Sequence, residues 1–391
     1  MGMDMQAEVL FEVRGETGFI SLNRPKALNA LNLDMIRMLT AQLLAWRDDA
    51  SVTFVVIRGM SKPSAEGLVN PFGSFCAGGD IRFFHQAALA GNPELEDFFT
   101  EEYKLNHLIA TYPKPYIALM DGIIMGGGMG ISQGASWRIV TERTKMAMPE
   151  TGIGLFPDVG GGYFLSRCPG RVGEYLALTG VTIGADEAIA YGLADQKVDV
   201  SELPDLWQEL SCFDAVAALE CKSEGVSAAS ELKITTKNIA AEAINTPAIC
   251  QIDHYFAFPT VTDIVHALET STDPWALQTA QTLRSRSPLM LHVVLEQIRR
   301  GRQLNLVQDL QMERDLVRRC FHTAHLGRHG ARSETVEGIR ALAVDKDHSP
   351  QWQPALVEDV TPEMVLPFFN SPWPAHAHPL QGLGVTVNAD S

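Results

Sequence analysis

Cysteine is scarce and scattered in this chain. Six occur among 391 residues, at positions 76, 168, 212, 221, 250 and 320, and no two form a C-x-x-C pair. That spacing argues against a thiolate metal site and against a disulfide framework, so the cysteines read as reduced structural thiols. Long hydrophobic runs are missing too. Asp121, glycines or Arg138 interrupt the longest ones well before the roughly twenty apolar residues that a membrane-spanning helix needs. Positive charge is the minority sign: 31 Lys and Arg stand against 47 Asp and Glu, a net charge of −16. No general attraction to nucleic acid or to an anionic membrane surface is expected, and a phosphorylated ligand would need a local basic pocket. The first residues, MGMDMQAEVLFEVRG, lack the basic start and apolar core of a secretory signal and the Arg-rich, acid-poor pattern of a transit peptide. Gln6 stands where myristoylation at Gly2 calls for Ser or Thr. A cytoplasmic location is therefore expected, unless a leader has been removed. No internal repeat is visible.

What is present is apolar material to bury: 46% hydrophobic against 20% charged residues. A chain of this length and balance is neither a short binding module nor globally disordered, and it predicts one large core with an appendage or two packed units. The charge balance leaves a small molecule as the expected partner. From Glu8 to about Val200, short β-branched runs alternate with helical segments. EVLFEVRG, GFISLNR, TFVVIRG and PYIALMDG read as strands bounded by Gly, Pro or Asp. Between them Ile36, Leu39, Leu43 and Trp46 fall at helical spacing behind Asn32, a candidate N-cap. After Glu202 the chain becomes rich in Ala, Glu, Leu and Thr, with helical runs predicted over Asp273–Ile298 and Leu304–Phe321. Pro362, Pro367, Pro372, Pro374 and Pro379 follow, which neither helix interiors nor central strands accept. The reading is an α/β core over residues 1–200, a mainly helical region over 201–370 and a flexible tail over 371–391.

Three glycine-bearing segments carry the chemistry: FCAGGDI (75–81), MGGGMGIS (125–132) and PETGIGLFPDVGGG (149–162). Three glycines opening an apolar helix cost about 1 kcal/mol each relative to Ala, so close backbone approach or bare N–H groups must be required there. A helix start free of side chains suits a developing negative charge. No GxxxxGK[ST] occurs and the 126–134 run spells no GxGxxG, so a nucleotide loop gives way to an oxyanion hole. One decoy is Gly130-Ile131-Ser132-Gln133-Gly134, which spells the G-x-S-x-G of serine hydrolases. Its serine falls inside the helix that the GGG opens, where a nucleophile elbow does not form. Another is His322, His325 and His329, at i, i+3 and i+7. Without an acidic fourth ligand they read as a solvated face, and no metal site is expected.

These segments, with PKPYIALMDGII before the GGG and SETVEGIRALAVDKDHSPQWQP (333–354) near the C-terminus, resemble the signature segments of the enoyl-CoA hydratase/isomerase (crotonase) superfamily. The FPDVGGGYF and DKDxxPxWxP portions resemble the subgroup that hydrolyses 3-hydroxyisobutyryl-CoA, a step of valine breakdown. RPKALNAL (24–31) is a feature shared across the superfamily. The resemblance runs from about Val9 to Phe368 and is weakest over 201–272. It implies a crotonase-like fold of repeated strand-strand-helix units with a helical C-terminal region closing an acyl-CoA pocket. It also implies a thioester hydrolase needing no cofactor, since CoA is part of the substrate. Homo-oligomers, often trimers, are common in the superfamily; the residues themselves set no oligomeric state.

The resemblance also implies roles for particular residues. The Gly79 and Gly127 N–H groups would polarise the thioester carbonyl, Glu150 would be the catalytic carboxylate and Asp158 the hydrolase subgroup's second acid. Glu102 would contact the substrate. Lys26 would meet a CoA phosphate, while the backbone at Ala27–Leu28 and Asp80–Ile81 would bond adenine and pantetheine. Hydratases carry their second carboxylate three residues past the middle glycine, where this chain has Gly130; a glycine transfers no proton, so hydration with paired carboxylates is disfavoured. Each acid has a plainer reading beside this one: Glu101-Glu102 as a solvated helix face, Glu150 as an N-cap or surface acid, Asp158 as a turn former after Pro157. Lys26 is equally an exposed surface lysine. Three carboxyls lining one pocket would raise at least one pKa. The chain could also be a binding subunit on a crotonase scaffold; intact Glu150, Asp158 and the two glycines speak against decay.

Overall fold

Residues 7–62, 72–212 and 247–385 are described in the computed structural model, and the strand-like runs of the first half are strands there. β1 (Val9–Arg14) and β2 (Thr17–Leu22) pair antiparallel across a turn where Gly15 sits at φ +57°. β3 (Phe54–Gly59), β4 (Tyr116–Met120), β6 (Trp137–Thr141) and β8 (Gln196–Val198) extend the sheet in parallel, in the order β1-β2-β3-β4-β6-β8. β5 (Ile123–Met125) and β7 (Lys145–Ala147) form a second, two-stranded parallel sheet. The strand-strand-helix unit is explicit twice. Helix Leu33–Asp48 follows β1-β2, with Asn32 Oδ1 accepting from the Met35 amide as predicted. Helix Gly127–Gln133 follows β4-β5.

All eight strands belong to one of two compact units, which interleave along the chain. The first takes its described residues from 1–79, 108–147 and 182–244, the second from 80–107, 148–181 and 245–391. The boundary expected near residue 200 does not coincide with this division, because segments 80–107 and 148–181 gather with later helices.

In the first unit the period-2 alternation of the strands sets the core. Phe19, Phe54, Val56, Ile117, Leu119, Ile139 and Val198 all pack against Leu203, Leu206, Trp207 and Leu210. Full burial of such side chains stabilises by about 1.5–3 kcal/mol each relative to exposure. Trp46 of helix Leu33–Asp48 covers Gly18, where a Cβ would lie 2.7 Å from the indole ring.

The second unit is helical, and among the described residues no strand follows β8. Phe84, Phe98, Phe99 and Phe321 stack edge-on or tilted with centroids 4.7–6.5 Å apart, joining helices Ile81–Ala90, Glu94–Ala110 and Leu306–Phe321. The run predicted over Asp273–Ile298 is two helices, Pro274–Ser285 and Pro288–Gly301. Pro288 lacks an N–H and forces extended backbone on Ser287, which caps the second helix at the Met290 amide. The three histidines do not share a helix face: helix Leu306–Phe321 stops at His322, His325 lies in a 3₁₀ turn, and His329 lies beyond Gly327 at φ +66°.

The tail differs from expectation as well. Over 371–385 it is anchored, with Leu380 1% exposed and its carbonyl accepting from Gln311 Nε2 at 3.0 Å. Residues 386–391 lie outside the described residues. Trp352 is half-buried, and its indole N–H donates to the Ser285 carbonyl. Cys76, Cys168, Cys250 and Cys320 form no disulfide among the described residues; the Cys212 side chain and Cys221 lie outside what is described.

The last glycine of the GGG run has a steric cause. A Cβ on Gly128 would lie 2.3 Å from the Cys76 carbonyl oxygen and 3.0 Å from the Cys76 Cβ. Gly128→Ala should therefore destabilise the chain by about 1–3 kcal/mol, the usual cost of overpacking, read as a lower urea midpoint at unchanged slope. An unchanged midpoint would mean the two segments do not approach this closely.

Candidate functional site

Two constellations carry chemistry, one in each unit. In the first unit, the FCAGGDI segment is stitched to β5: the Cys76 amide donates to Ile123 and the Met125 amide donates back to Cys76, both at 3.0 Å. A Cβ on Gly78, at φ +102°, would lie 3.4 Å from the Met125 carbonyl oxygen and 3.7 Å from the Gly127 amide nitrogen. Gly79 and Gly127, the two predicted donors, are thus brought to one place by backbone pairing. Gly127 is the first residue of its helix, so its N–H has no acceptor within it. Among the described residues neither amide donates a hydrogen bond. Two neighbouring N–H groups without acceptors suit an oxyanion.

Of the binding residues predicted from RPKALNAL, Lys26 is exposed in the 3₁₀ turn Pro25–Ala27, and Leu28 is 42% exposed at φ +52°. The Leu28 carbonyl accepts from the Ala77 amide, two residues from Gly79. Asp80 caps helix Ile81–Ala90 by accepting from the Phe83 amide at 3.3 Å.

The second unit holds the acids. Glu102, Glu150 and Asp158 are 2%, 6% and 5% exposed, which removes the solvated-face reading of Glu102. Burial, followed by the charges of Asp158 and Glu150, pushes the Glu102 carboxyl well above the usual range. Burial and the charge of Asp158 do the same to Glu150. Asp158 is pushed up to about 7 by burial, against the opposing effect of a hydrogen bond from Tyr103. All three shifts share one cause, loss of water around the charged form, and mutual repulsion adds to two of them. The cluster therefore holds protons at neutral pH and can both take and give them. Among the described residues Glu102 Oε1 and Glu150 Oε2 are buried without a hydrogen-bond partner, positions where a ligand's polar atoms would be accepted.

Local structure fixes each acid. Glu150 opens the 3₁₀ turn Glu150–Ile153, which is tied down by the Ser287 amide to the Thr151 carbonyl at 3.1 Å and by Thr335 Oγ1 to the Gly154 carbonyl at 2.7 Å. Asp158 sits before Val159, a β-branched residue at φ +57°. That left-handed conformation costs on the order of 1–3 kcal/mol and persists where the surroundings over-determine it.

Tyr103, whose hydroxyl donates to Asp158 Oδ2 at 2.9 Å, was not anticipated from sequence. It follows Glu102 in the EEY triplet, but a tyrosine in a helix reads as core until its partner is known. Ser132 is fully buried and its hydroxyl donates to the Gly128 carbonyl at 2.8 Å, inside helix Gly127–Gln133. Among the described residues no three His, Cys, Asp or Glu side chains are gathered as metal ligands, and no helix is long and apolar enough to cross a membrane.

Known proteins resemble this chain over most of its length. The family model for enoyl-CoA hydratase/isomerase matches residues 17–369. A curated relative from Danio rerio, "3-hydroxyisobutyryl-CoA hydrolase, mitochondrial", is 39% identical over 370 residues, covering 93% of this chain and 90% of its own. The human protein of that name is 37% identical over 372 residues, covering 94% and 90%. Among solved structures, a carnitinyl-CoA dehydratase from Mycobacterium thermoresistibile superposes with a TM-score of 0.79 at 36% identity, covering 93% of this chain and 97% of that one. An enoyl-CoA hydratase from Rhodobacter sphaeroides gives 0.79 at 35%, covering 93% and 98%.

The acid cluster makes two predictions. Tyr103→Phe removes a donor that favours ionised Asp158, so the Asp158 carboxyl should titrate above its present value of about 7; ¹³C-carboxyl NMR or the pH–rate profile would read the shift. A carboxyl whose folded pKa exceeds its unfolded value, about 3.9 for Asp, binds a proton in the folded state that the unfolded state has lost. Its stability contribution is intact below about 4 and is lost as pH rises through about 7. Asp158→Asn removes the charge, so it should raise the melting temperature relative to the parent more at pH 8 than at pH 5. Equal shifts at both would show that Asp158 is not a strained acid.

Proposed function

The chain belongs to the enoyl-CoA hydratase/isomerase family, and from that premise we propose that it hydrolyses 3-hydroxyisobutyryl-CoA to 3-hydroxyisobutyrate and CoA, a step of valine breakdown. The observation that carries this reading is the cluster of buried, proton-holding acids Glu102, Glu150 and Asp158 in a chain 37–39% identical to curated 3-hydroxyisobutyryl-CoA hydrolases. 3-Hydroxypropionyl-CoA, one methyl smaller, is the proposed second substrate. The chain is thus an acyl-CoA thioester hydrolase.

In this mechanism the Gly79 and Gly127 N–H groups receive the carbonyl oxygen as the thioester becomes tetrahedral; one such donor is typically worth about 10² to 10³ in rate. Glu150 acts at the carbonyl carbon. It either attacks directly, giving a mixed anhydride that water then opens, or removes a proton from the attacking water. In both routes the carbon–sulfur bond breaks, the electron pair leaves on the CoA sulfur, and a carboxyl held protonated by burial supplies the proton. Asp158 accepts the substrate's 3-hydroxyl and orients it, with Glu102 as a further contact. Lys26, Leu28 and Asp80 hold the CoA portion. A thioester is already activated and a single oxyanion develops, so the proposal calls for no metal or redox cofactor. The proposed partner is the acyl-CoA, with a homo-oligomer as the proposed assembly. The curated relatives are mitochondrial by name, so the cytoplasmic location expected from the first residues gains no support from them.

A second reading, hydration of an enoyl-CoA, is favoured by the names of the two solved structures. Gly130 occupies the position where a hydratase carries its second carboxylate, which speaks against it. Release of free thiol from 3-hydroxyisobutyryl-CoA, measured beside loss of crotonyl-CoA absorbance, separates the two; fast hydration without thiol would overturn the hydrolase assignment.

The acids are separated by a des-hydroxy substrate. Glu150→Gln should abolish hydrolysis of both 3-hydroxyisobutyryl-CoA and isobutyryl-CoA. Asp158→Asn should narrow the preference for the hydroxylated thioester, because a buried group built to bond a hydroxyl discriminates through its own unmet hydrogen bond. Equal losses on both thioesters in Asp158→Asn would place Asp158 in the chemical step instead.

A further inference from the structure

The mechanism leaves several fully buried acids unused, and one of them holds the turn that carries Asp158. Glu313, in helix Leu306–Phe321, has no solvent exposure. Its Oε2 accepts from the Gly160 amide at 2.7 Å and its Oε1 from the Gly162 amide at 2.9 Å. Gln297, from helix Pro288–Gly301, donates its amide both to the Pro157 carbonyl at 2.6 Å and to Glu313 Oε1 at 3.3 Å. Asp309, one helical turn before Glu313, accepts from the Tyr163 amide at 2.8 Å. Three polar side chains from two helices thus seize the backbone of 157–163 at four points, flanking Asp158 on both sides. Between those points lie Val159 at φ +57° and Gly160 at φ +88°. A valine does not hold that conformation unaided. Burying a carboxylate this completely is costly, and a turn needing only apolar packing would not call for it. The Glu313 bonds run to backbone amides two and four residues past Asp158, so it acts through the chain.

We propose that Glu313, with Gln297 and Asp309, is a positioning residue that forces the 157–163 turn into the strained conformation that aims the Asp158 carboxyl. The proposal rests on the hydrolase reading only for the substrates used to measure it. Glu313→Gln keeps the shape but turns an acceptor into a donor that faces one of the two glycine amides. With folding verified by circular dichroism and melting temperature, kcat/KM for 3-hydroxyisobutyryl-CoA should fall about tenfold or more, while isobutyryl-CoA loses less than about threefold. The Asp158→Asn, Glu313→Gln double variant should show no narrower preference than Asp158→Asn alone, since both act through one group. Adding Val159→Gly to Glu313→Gln should restore part of the preference, because glycine adopts the left-handed conformation without the clamp. Should Glu313→Gln not fold, Gln297→Met removes the hold on Pro157 and should shift the same preference in the same direction.

A merely structural role predicts equal losses on both thioesters and losses that multiply in the double variant; either result overturns the proposal. Hydrogen exchange supplies a readout independent of activity. Amides of 157–163 should exchange faster in Glu313→Gln with the remainder unchanged, and unaltered exchange there overturns the proposal as well. A parent chain that hydrolyses neither thioester would instead sink the hydrolase reading, leaving the exchange result to decide the clamp.

Discussion

Desolvation of carboxylates is the constraint on which much of the second unit depends. Glu102, Glu150 and Asp158 are held away from water, and two of the three lie in the field of another. In water these groups would ionise and separate; here the backbone that carries them must resist both tendencies. The turn bearing Glu150 is pinned by Ser287 and Thr335, the turn bearing Asp158 by Gln297, Asp309 and Glu313, and Asp158 itself by Tyr103. Apart from Tyr103, in helix Glu94–Ala110, the residues that supply these pins come from the C-terminal part of the chain, and the acids they fix lie more than a hundred residues earlier.

The first unit solves a different problem with backbone alone. β7 and the FCAGGDI segment meet β5 by main-chain hydrogen bonds, and in the helix that follows a Cβ at Gly128 would strike the Cys76 carbonyl. Side chains are thereby excluded beside the Gly127 N–H group. The clash at Gly128 and the φ of +47° at Gly126 account for two of the three glycines, and the bare amide of Gly127 between them suits an oxyanion.

Much of this was legible in the sequence where the signal was local. The four strand-like runs, the capped helix behind Asn32 and the break of periodicity at the glycines needed no tertiary information, because strand alternation and capping are decided within a few residues. The misreadings have both local and distant causes. Pro288 splits the run over Asp273–Ile298, a local signal outweighed in the reading by apolar periodicity. The proline-rich tail packs as far as residue 385 because Leu380 finds a buried place and Gln311 bonds its carbonyl. The three histidines are separated by the end of helix Leu306–Phe321 at Phe321.

The sequence by itself determined the fold family and the identity of the candidate acids and donor glycines, because those residues sit in short motifs whose spacing is rigid along the chain. It could not reveal that Glu102 is buried, that Tyr103 bonds Asp158, or that Glu313, Asp309 and Gln297 hold the Asp158 turn. These depend on residues 55 to 153 positions apart meeting without water. Only the tertiary structure decides such encounters, since the cost of removing a carboxylate from solvent is set by everything packed around it and by nothing in its own neighbours along the chain.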